Sequence, residues 1–145
     1  MSKPVTTRLY LPTFAELTDR LTIIQLKAIF IPENKKAYDD EIALIEHDID
    51  LLLKEKQYAL SASDIRAIAV IAIVNRVIWE NESNARAGGD RQDKMLKFTH
   101  SVNGVRNAAK NVLAQNLGER ADLKIDCLAA DLAPEFGNWQ IWPKT

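Results

Sequence analysis

The feature that most constrains this chain is where its helix breakers fall. Proline occurs only at 4, 12, 32, 134 and 143, and glycine only at 88, 89, 104, 118 and 137. Between them lie long uninterrupted stretches. Proline inside a helix removes a hydrogen bond and clashes with the preceding turn, so such spacing leaves room for several long helices. The apolar residues within those stretches recur at three- and four-residue intervals, the period of one helix face. The expectation is an all-α fold: an antiparallel bundle of four long helices, a short fifth helix and an irregular aromatic tail, making one domain over 1–145.

The first helix is expected from Thr13, because Thr13-Phe14-Ala15-Glu16 has the spacing of a capping box. Phe14, Leu17, Leu21, Ile24 and Ala28 form its stripe, while Ile23, Leu26 and Phe30 point elsewhere. Pro32 disfavours helix before it and opens the second helix, which is expected to run to Tyr58. Tyr38, Ile42, Ile45, Ile49 and Leu52 form that stripe, with Leu44 and Leu51 as a narrower second ridge. Ser61 or Ser63 can cap the third helix. Over 65–78 its apolar residues point in almost every direction, which predicts burial on all sides at the bundle centre or in an oligomer interface. A strand over 68–74 is the competitor, rejected because Asn75, Glu82 and Arg86 keep helical spacing. Gly88-Gly89 ends this element.

The fourth helix is expected over 90–117, with Asp90 as cap and Gly118 just beyond its end. Met95, Phe98, Val102, Val105, Ala109, Val112 and Leu113 form its face. Gly104 sits mid-helix at a cost of about 1 kcal/mol relative to alanine, which close packing would explain. A fifth helix over 119–132 would use Leu123, Cys127, Leu128 and Leu132. The tail holds Phe136, Trp139, Ile141 and Trp142, and is expected to pack back onto the bundle.

Composition narrows function mainly by exclusion. The chain carries 19 Lys and Arg against 20 Asp and Glu. That balance supplies no general attraction to nucleic acid or an anionic membrane. The stretch over 65–78 is interrupted by Arg66, Asn75 and Arg76, and is too short and polar to span a bilayer. Cys127 is the single cysteine. It has no histidine beside it and reads as a buried thiol that takes no part in catalysis. These features suggest a cytoplasmic setting. Neither His47 nor His100 stands in a zinc-ligand pattern. Glu80 and Glu82, with Glu119 and Asp122, faintly suggest the all-helical nucleotide pyrophosphohydrolases, but a Glu-Glu-x-x-Glu motif is absent. No phosphate loop, dinucleotide fingerprint or nucleophile elbow occurs.

The best polar constellation lies on the third and fourth helices. Asn75, Trp79, Glu82 and Arg86 share one face with Ile68 and Ala72. Asn103, Arg106, Asn107 and Lys110 line one edge of the next helix. If the two faces meet, they form a semi-buried layer whose groups need partners. That layer either sets helix register as a structural network or holds a small anionic ligand. On the first helix, Asp19, Thr22 and Lys27 are secondary candidates.

Two segments resemble a poorly characterised all-helical family of bacteria and phages, sometimes found near glycan or surface-polysaccharide genes. One is Glu16-Leu17-Thr18-Asp19-Arg20-Leu21-Thr22-Ile23-Ile24-Gln25-Leu26-Lys27. The other is Asn75-Arg76-Val77-Ile78-Trp79-Glu80-Asn81-Glu82. The resemblance implies a helical fold over about 13–118 and marks Asp19, Thr22, Lys27, Asn75, Trp79 and Glu82. It transfers no activity.

The functional expectation is a non-enzymatic interaction or accessory protein that self-associates as a homodimer and engages protein partners, with no cofactor. The alternative is an enzyme or sensor that holds a small phosphorylated or sugar-nucleotide ligand between the third and fourth helices, with magnesium where needed. There Trp79 would be an apolar or stacking wall, Arg106 and Lys110 would meet the anion, and Glu82 would orient one of those bases or hold magnesium.

Overall fold

The computed structural model describes the backbone of residues 7–86 and 92–121, and the side chains of 7–83, 98 and 101–121. The fifth helix, the aromatic tail, Cys127, the glycine pair at 88–89 and the Asp90 cap lie outside those residues. Four helices pack antiparallel to their neighbours: α1 (Phe14–Phe30), α2 (Lys35–Lys56), α3 (Ala62–Arg86) and α4 (Gln92–Leu117).

The ends of the helices follow local chemistry. Thr13 Oγ1 accepts from the Glu16 N–H at 3.2 Å, and the Glu16 carboxylate accepts from the Thr13 N–H at 3.1 Å, so the capping box is complete. A 3-10 turn, Pro32–Asn34, separates α1 from α2. It delays the start of α2 relative to the expected position. At the far end Gln57 adopts a left-handed backbone, φ 52°, and stops α2 ahead of Tyr58. Ser61 and Asp64 form a reciprocal cap on α3: Asp64 N–H donates to Ser61 Oγ, and Ser61 N–H donates to Asp64 Oδ2 at 2.8 Å. Gly118, φ 69°, closes α4, and the Glu119 N–H reaches back to the Ala114 carbonyl at 2.8 Å. Only glycine takes that left-handed turn without steric cost.

The core is a cluster of Phe14, Ala15, Ala67, Ile71, Ala109, Leu113 and Ala114. Its alanines let helix backbones approach closely. Ile49, Leu52, Leu53 and Tyr58 from the α2 end of the chain are partly buried against it. α2 packs against α1, and α3 packs most extensively against α4. The C-terminal end of α4 is tied to the start of α1. Glu119 accepts from the backbone N–H groups of Phe14 at 2.7 Å and Ala15 at 3.2 Å, a carboxylate on the positive end of α1 contributed from 105 positions away in sequence. Arg120 donates to the Leu11 carbonyl at 2.7 Å and lies over the Tyr10 ring.

The bundle by itself does not bury α3 on all sides, and α2 and α4 also keep apolar surface exposed. α3 buries Ala67, Ile71, Val74 and Ile78, yet Ile65 and Ile73 are 60% and 64% exposed. A helix apolar all round is covered only where neighbours reach it, and here α1 and α4 occupy one side. On α4, Ala109 and Leu113 are buried while Phe98, Val105 and Val112 stay open to solvent. The Leu44 and Leu51 ridge of α2 also faces outward.

Candidate functional site

The expected polar layer exists, but it is drawn from three helices. Asn75 on α3 is almost fully buried, 3% exposed, and sits at its centre. Its side-chain amide donates to Asp19 Oδ1 at 2.8 Å and to Thr22 Oγ1 at 2.7 Å, both on α1. The Thr22 hydroxyl donates to the Asp19 backbone carbonyl at 2.8 Å, which aims its oxygen at Asn75. From α4, Arg106 Nη1 donates to Asn75 Oδ1 at 3.2 Å. The Lys110 ammonium, also buried, lies 3.5 Å from Asp19 Oδ2. Asp19 and Thr22 were secondary candidates in the sequence, whereas Asn75, Arg106 and Lys110 were primary ones; they form one network.

This arrangement follows from helix geometry. Asp19 and Thr22 are three residues apart on α1, and Arg106 and Lys110 are four apart on α4, so each pair faces one neighbour. Asn75 lies between them because α3 packs on both helices. The buried Asn75 amide has donors and an acceptor engaged, as a low-dielectric interior demands.

The remaining candidates do not join at the centre. Trp79 is half-buried, and its backbone carbonyl accepts from Ser83 Oγ at 2.9 Å. Glu82 is exposed. Lys27 is half-buried and outside the hydrogen-bonded network. The Arg86 side chain lies outside the described residues. Asn103 and Asn107 share the α4 face with Arg106, and here the layer is incomplete. Asn103 Oδ1, Asn107 Oδ1 and Arg106 Nε are each cut off from solvent without a hydrogen-bond partner.

The acidic residues considered for magnesium have other partners. Glu80 pairs with Arg76 at 2.7 Å, and Glu119 is held on the α1 N-terminus. Among the described residues, no group of three His, Cys, Asp or Glu side chains converges as a metal site would require. No described helix is long and apolar enough to cross a membrane.

A second buried polar node went unrecognised in the sequence. Asp64, 2% exposed, accepts from Ser61 and from Asn116 Nδ2 at 2.9 Å. The Ser61 backbone hydrogen bond and the Asn116 amide hold its carboxyl below the usual range, against the opposing effect of burial. Near the α1 start, burial and the Glu119 carboxylate raise the Tyr58 phenol above its ordinary value. Ser61 was one of two cap candidates, with Ser63, but nothing local pointed to Asn116, 52 positions on from Asp64.

Beside Asp64 an open groove of about 270 Å³ runs between α3 and α4, lined chiefly by Ala67, Val70, Val105, Ala108, Ala109 and Val112, with Arg66 and Ser63 at its edge. No family model, curated protein or solved structure matches the chain.

Proposed function

We propose that this chain is a helical interaction protein that self-associates, using the outer face of α3 and α4. The observation that carries the reading is the apolar groove between those helices, beside which Ile73, Val105 and Val112 keep 64%, 51% and 43% of their surface exposed. Exposed apolar side chains gathered along two neighbouring helices mark a contact surface more often than scattered single ones do. A second copy would cover the side of α3 that α1 and α4 leave open. This accounts for why α3 is apolar in nearly every direction. The expected assembly is a homodimer, with further protein partners reached through the same accessory role.

The non-enzymatic part of the proposal draws on how the polar residues are used. Asp19, Asn75 and Lys110 are engaged with one another, Glu80 with Arg76 and Glu119 with a helix end. None is arranged as a nucleophile beside a base. Sedimentation equilibrium of the full chain at micromolar concentration tests the proposal. A dimer is expected, reduced toward the 16.3 kDa monomer by Ile73→Asp with Val105→Asp. A wild-type chain that sediments only as a monomer would reject it.

A further inference from the structure

Apolar side chains that no described element covers gather at one end of the bundle. Leu9, Tyr10 and Leu11 are consecutive, lie just ahead of the α1 cap and are exposed, Leu9 by 81% and Tyr10 by 76%. Leu60, in the link from α2 to α3, and Ile65, near the start of α3, are exposed as well. The antiparallel order of the helices brings the start of α1, the end of α2, the start of α3 and the end of α4 to this end. Contacts hold them there. The Phe14 and Tyr58 rings meet edge to face, the Tyr58 hydroxyl donates to Glu119 at 3.5 Å, and Asn116 Nδ2 donates to Ser63 Oγ at 3.1 Å. So much apolar surface gathered in one place is unfavourable in water, and a covering segment removes that cost.

The cover must reach this end and bring apolar side chains. The connection between α3 and α4 lies at the other end, about 37 Å away along the 25 residues of α3. Residues 1–6 bring only Met1 and Val5 beside a proline. Residues 122–145 meet both demands. They follow Arg120, whose guanidinium lies 3.8 Å from the Tyr10 ring centre and donates to the Leu11 carbonyl at 2.7 Å. The stretch therefore starts beside the exposed side chains. It carries Leu128, Leu132, Phe136, Trp139, Ile141 and Trp142. Even wholly helical it would extend about 36 Å, enough to cross four helices packed roughly 10 Å apart. Charge agrees with this. The stretch holds Asp122, Asp126, Asp131 and Glu135 against Lys124 and Lys144. Arg8, beside Leu9, is exposed and has no acidic partner among the described residues.

We infer that residues 122–145 fold back across this end of their own bundle and seat their apolar side chains on Leu9, Tyr10, Leu11, Leu60 and Ile65. The acidic residues of the stretch lie toward Arg8. Attachment through Arg120 keeps the segment at a high effective concentration over its own bundle, so it outcompetes the same segment of another copy at micromolar protein. The cover shields the Arg120 contacts that tie the end of α4 to the start of α1. This surface is distinct from the α3–α4 groove, and the inference does not depend on self-association.

A nitroxide label far along the stretch tests this in the full chain. Gln140→Cys with Cys127→Ser provides a single attachment point. In the nitrogen-15 spectrum the amides of Leu9, Tyr10, Leu60 and Ile65 should lose more than half their intensity relative to the reduced label. Those of Ile29 and Phe30, at the other end, should keep theirs. The loss should persist when the labelled chain is diluted into excess unlabelled chain. It should be absent when spin-labelled nitrogen-14 chain is mixed with unlabelled nitrogen-15 chain. Leu9→Asp with Leu60→Asp should restore the Ile65 intensity, which tethering alone would not predict. If the Gln140→Cys chain fails to fold, Asn138→Cys in the same background carries the label. The inference is overturned by no loss at this end, by loss confined to Val70 and Val105 in the groove, by loss that arises only between copies, or by loss that survives Leu9→Asp with Leu60→Asp. Sedimentation decides self-association separately, so a monomer that shows the loss supports this inference while rejecting the dimer.

Discussion

Replacing Asp64 with asparagine isolates one buried charge. The carboxylate is 2% exposed, accepts from Ser61 N–H at 2.8 Å and Ser61 Oγ at 2.9 Å through one oxygen, and accepts from Asn116 Nδ2 at 2.9 Å through the other. Asparagine keeps the shape but has only one acceptor oxygen. Its NH₂ must then face either Ser61 or Asn116, donor against donor. Loss of a helix cap costs about 0.5–2 kcal/mol, and a hydrogen bond to a charged group contributes about 1.5–3 kcal/mol. The two overlap here, so the expected loss is about 2 kcal/mol. For a chain of this length that lowers the melting temperature by roughly 4–8 °C. The pH dependence gives the sharper check. The folded state holds the Asp64 carboxyl below its ordinary 3.8. Its contribution is therefore fully present above the unfolded value, and is lost as pH falls through the lower folded value. Thermal unfolding followed by circular dichroism at 222 nm, at pH 7 and stepwise into acid, should show the gap between wild type and D64N closing below about pH 4. A gap under about 0.5 kcal/mol at pH 7, or one that persists unchanged in acid, would refute the argument.

Two further substitutions probe the other long-range polar contacts. Asn75→Leu leaves Asp19 and Thr22 without a shared donor and Arg106 without its acceptor; a loss of about 2–4 kcal/mol in urea unfolding is expected, and a neutral result would mean that the layer contributes nothing to stability. Glu119→Ala removes the carboxylate from the Phe14 and Ala15 N–H groups, and should cost about 1–2 kcal/mol and speed amide exchange at the start of α1 more than at the centre of α3.

The number and order of the four helices were legible in the sequence because helix ends are local events. Thr13 with Glu16, and Gly118, each act within about one turn, so their spacing was sufficient to place them, while the α3 cap was left between Ser61 and Ser63 until the structure chose Ser61. The 3-10 turn at Pro32–Asn34 and the left-handed Gln57 shifted the bounds of α2, since neither residue type demands that geometry. The polar layer was legible in part. Asn75, Arg106 and Lys110 could be placed on facing helices by periodicity. Their convergence on Asp19 and Thr22 needed α1 to lie against α3 and α4 at one register, which periodicity within a single helix cannot specify.

What the sequence by itself determined is thus the set of four helices, the capping box of α1, the glycine end of α4 and the apolar character of α3. Tertiary structure alone decided which apolar side chains are covered. Ile71 and Ile73 are equally apolar and two residues apart, yet one is fully buried and the other is 64% exposed. Likewise, a glutamate after α4 came to accept from the first N–H groups of α1, and Asn116 became the partner of Asp64. The physical reason is that hydrophobic burial and long-range hydrogen bonding depend on what another segment brings into contact, whereas capping and backbone preference depend on immediate chain neighbours.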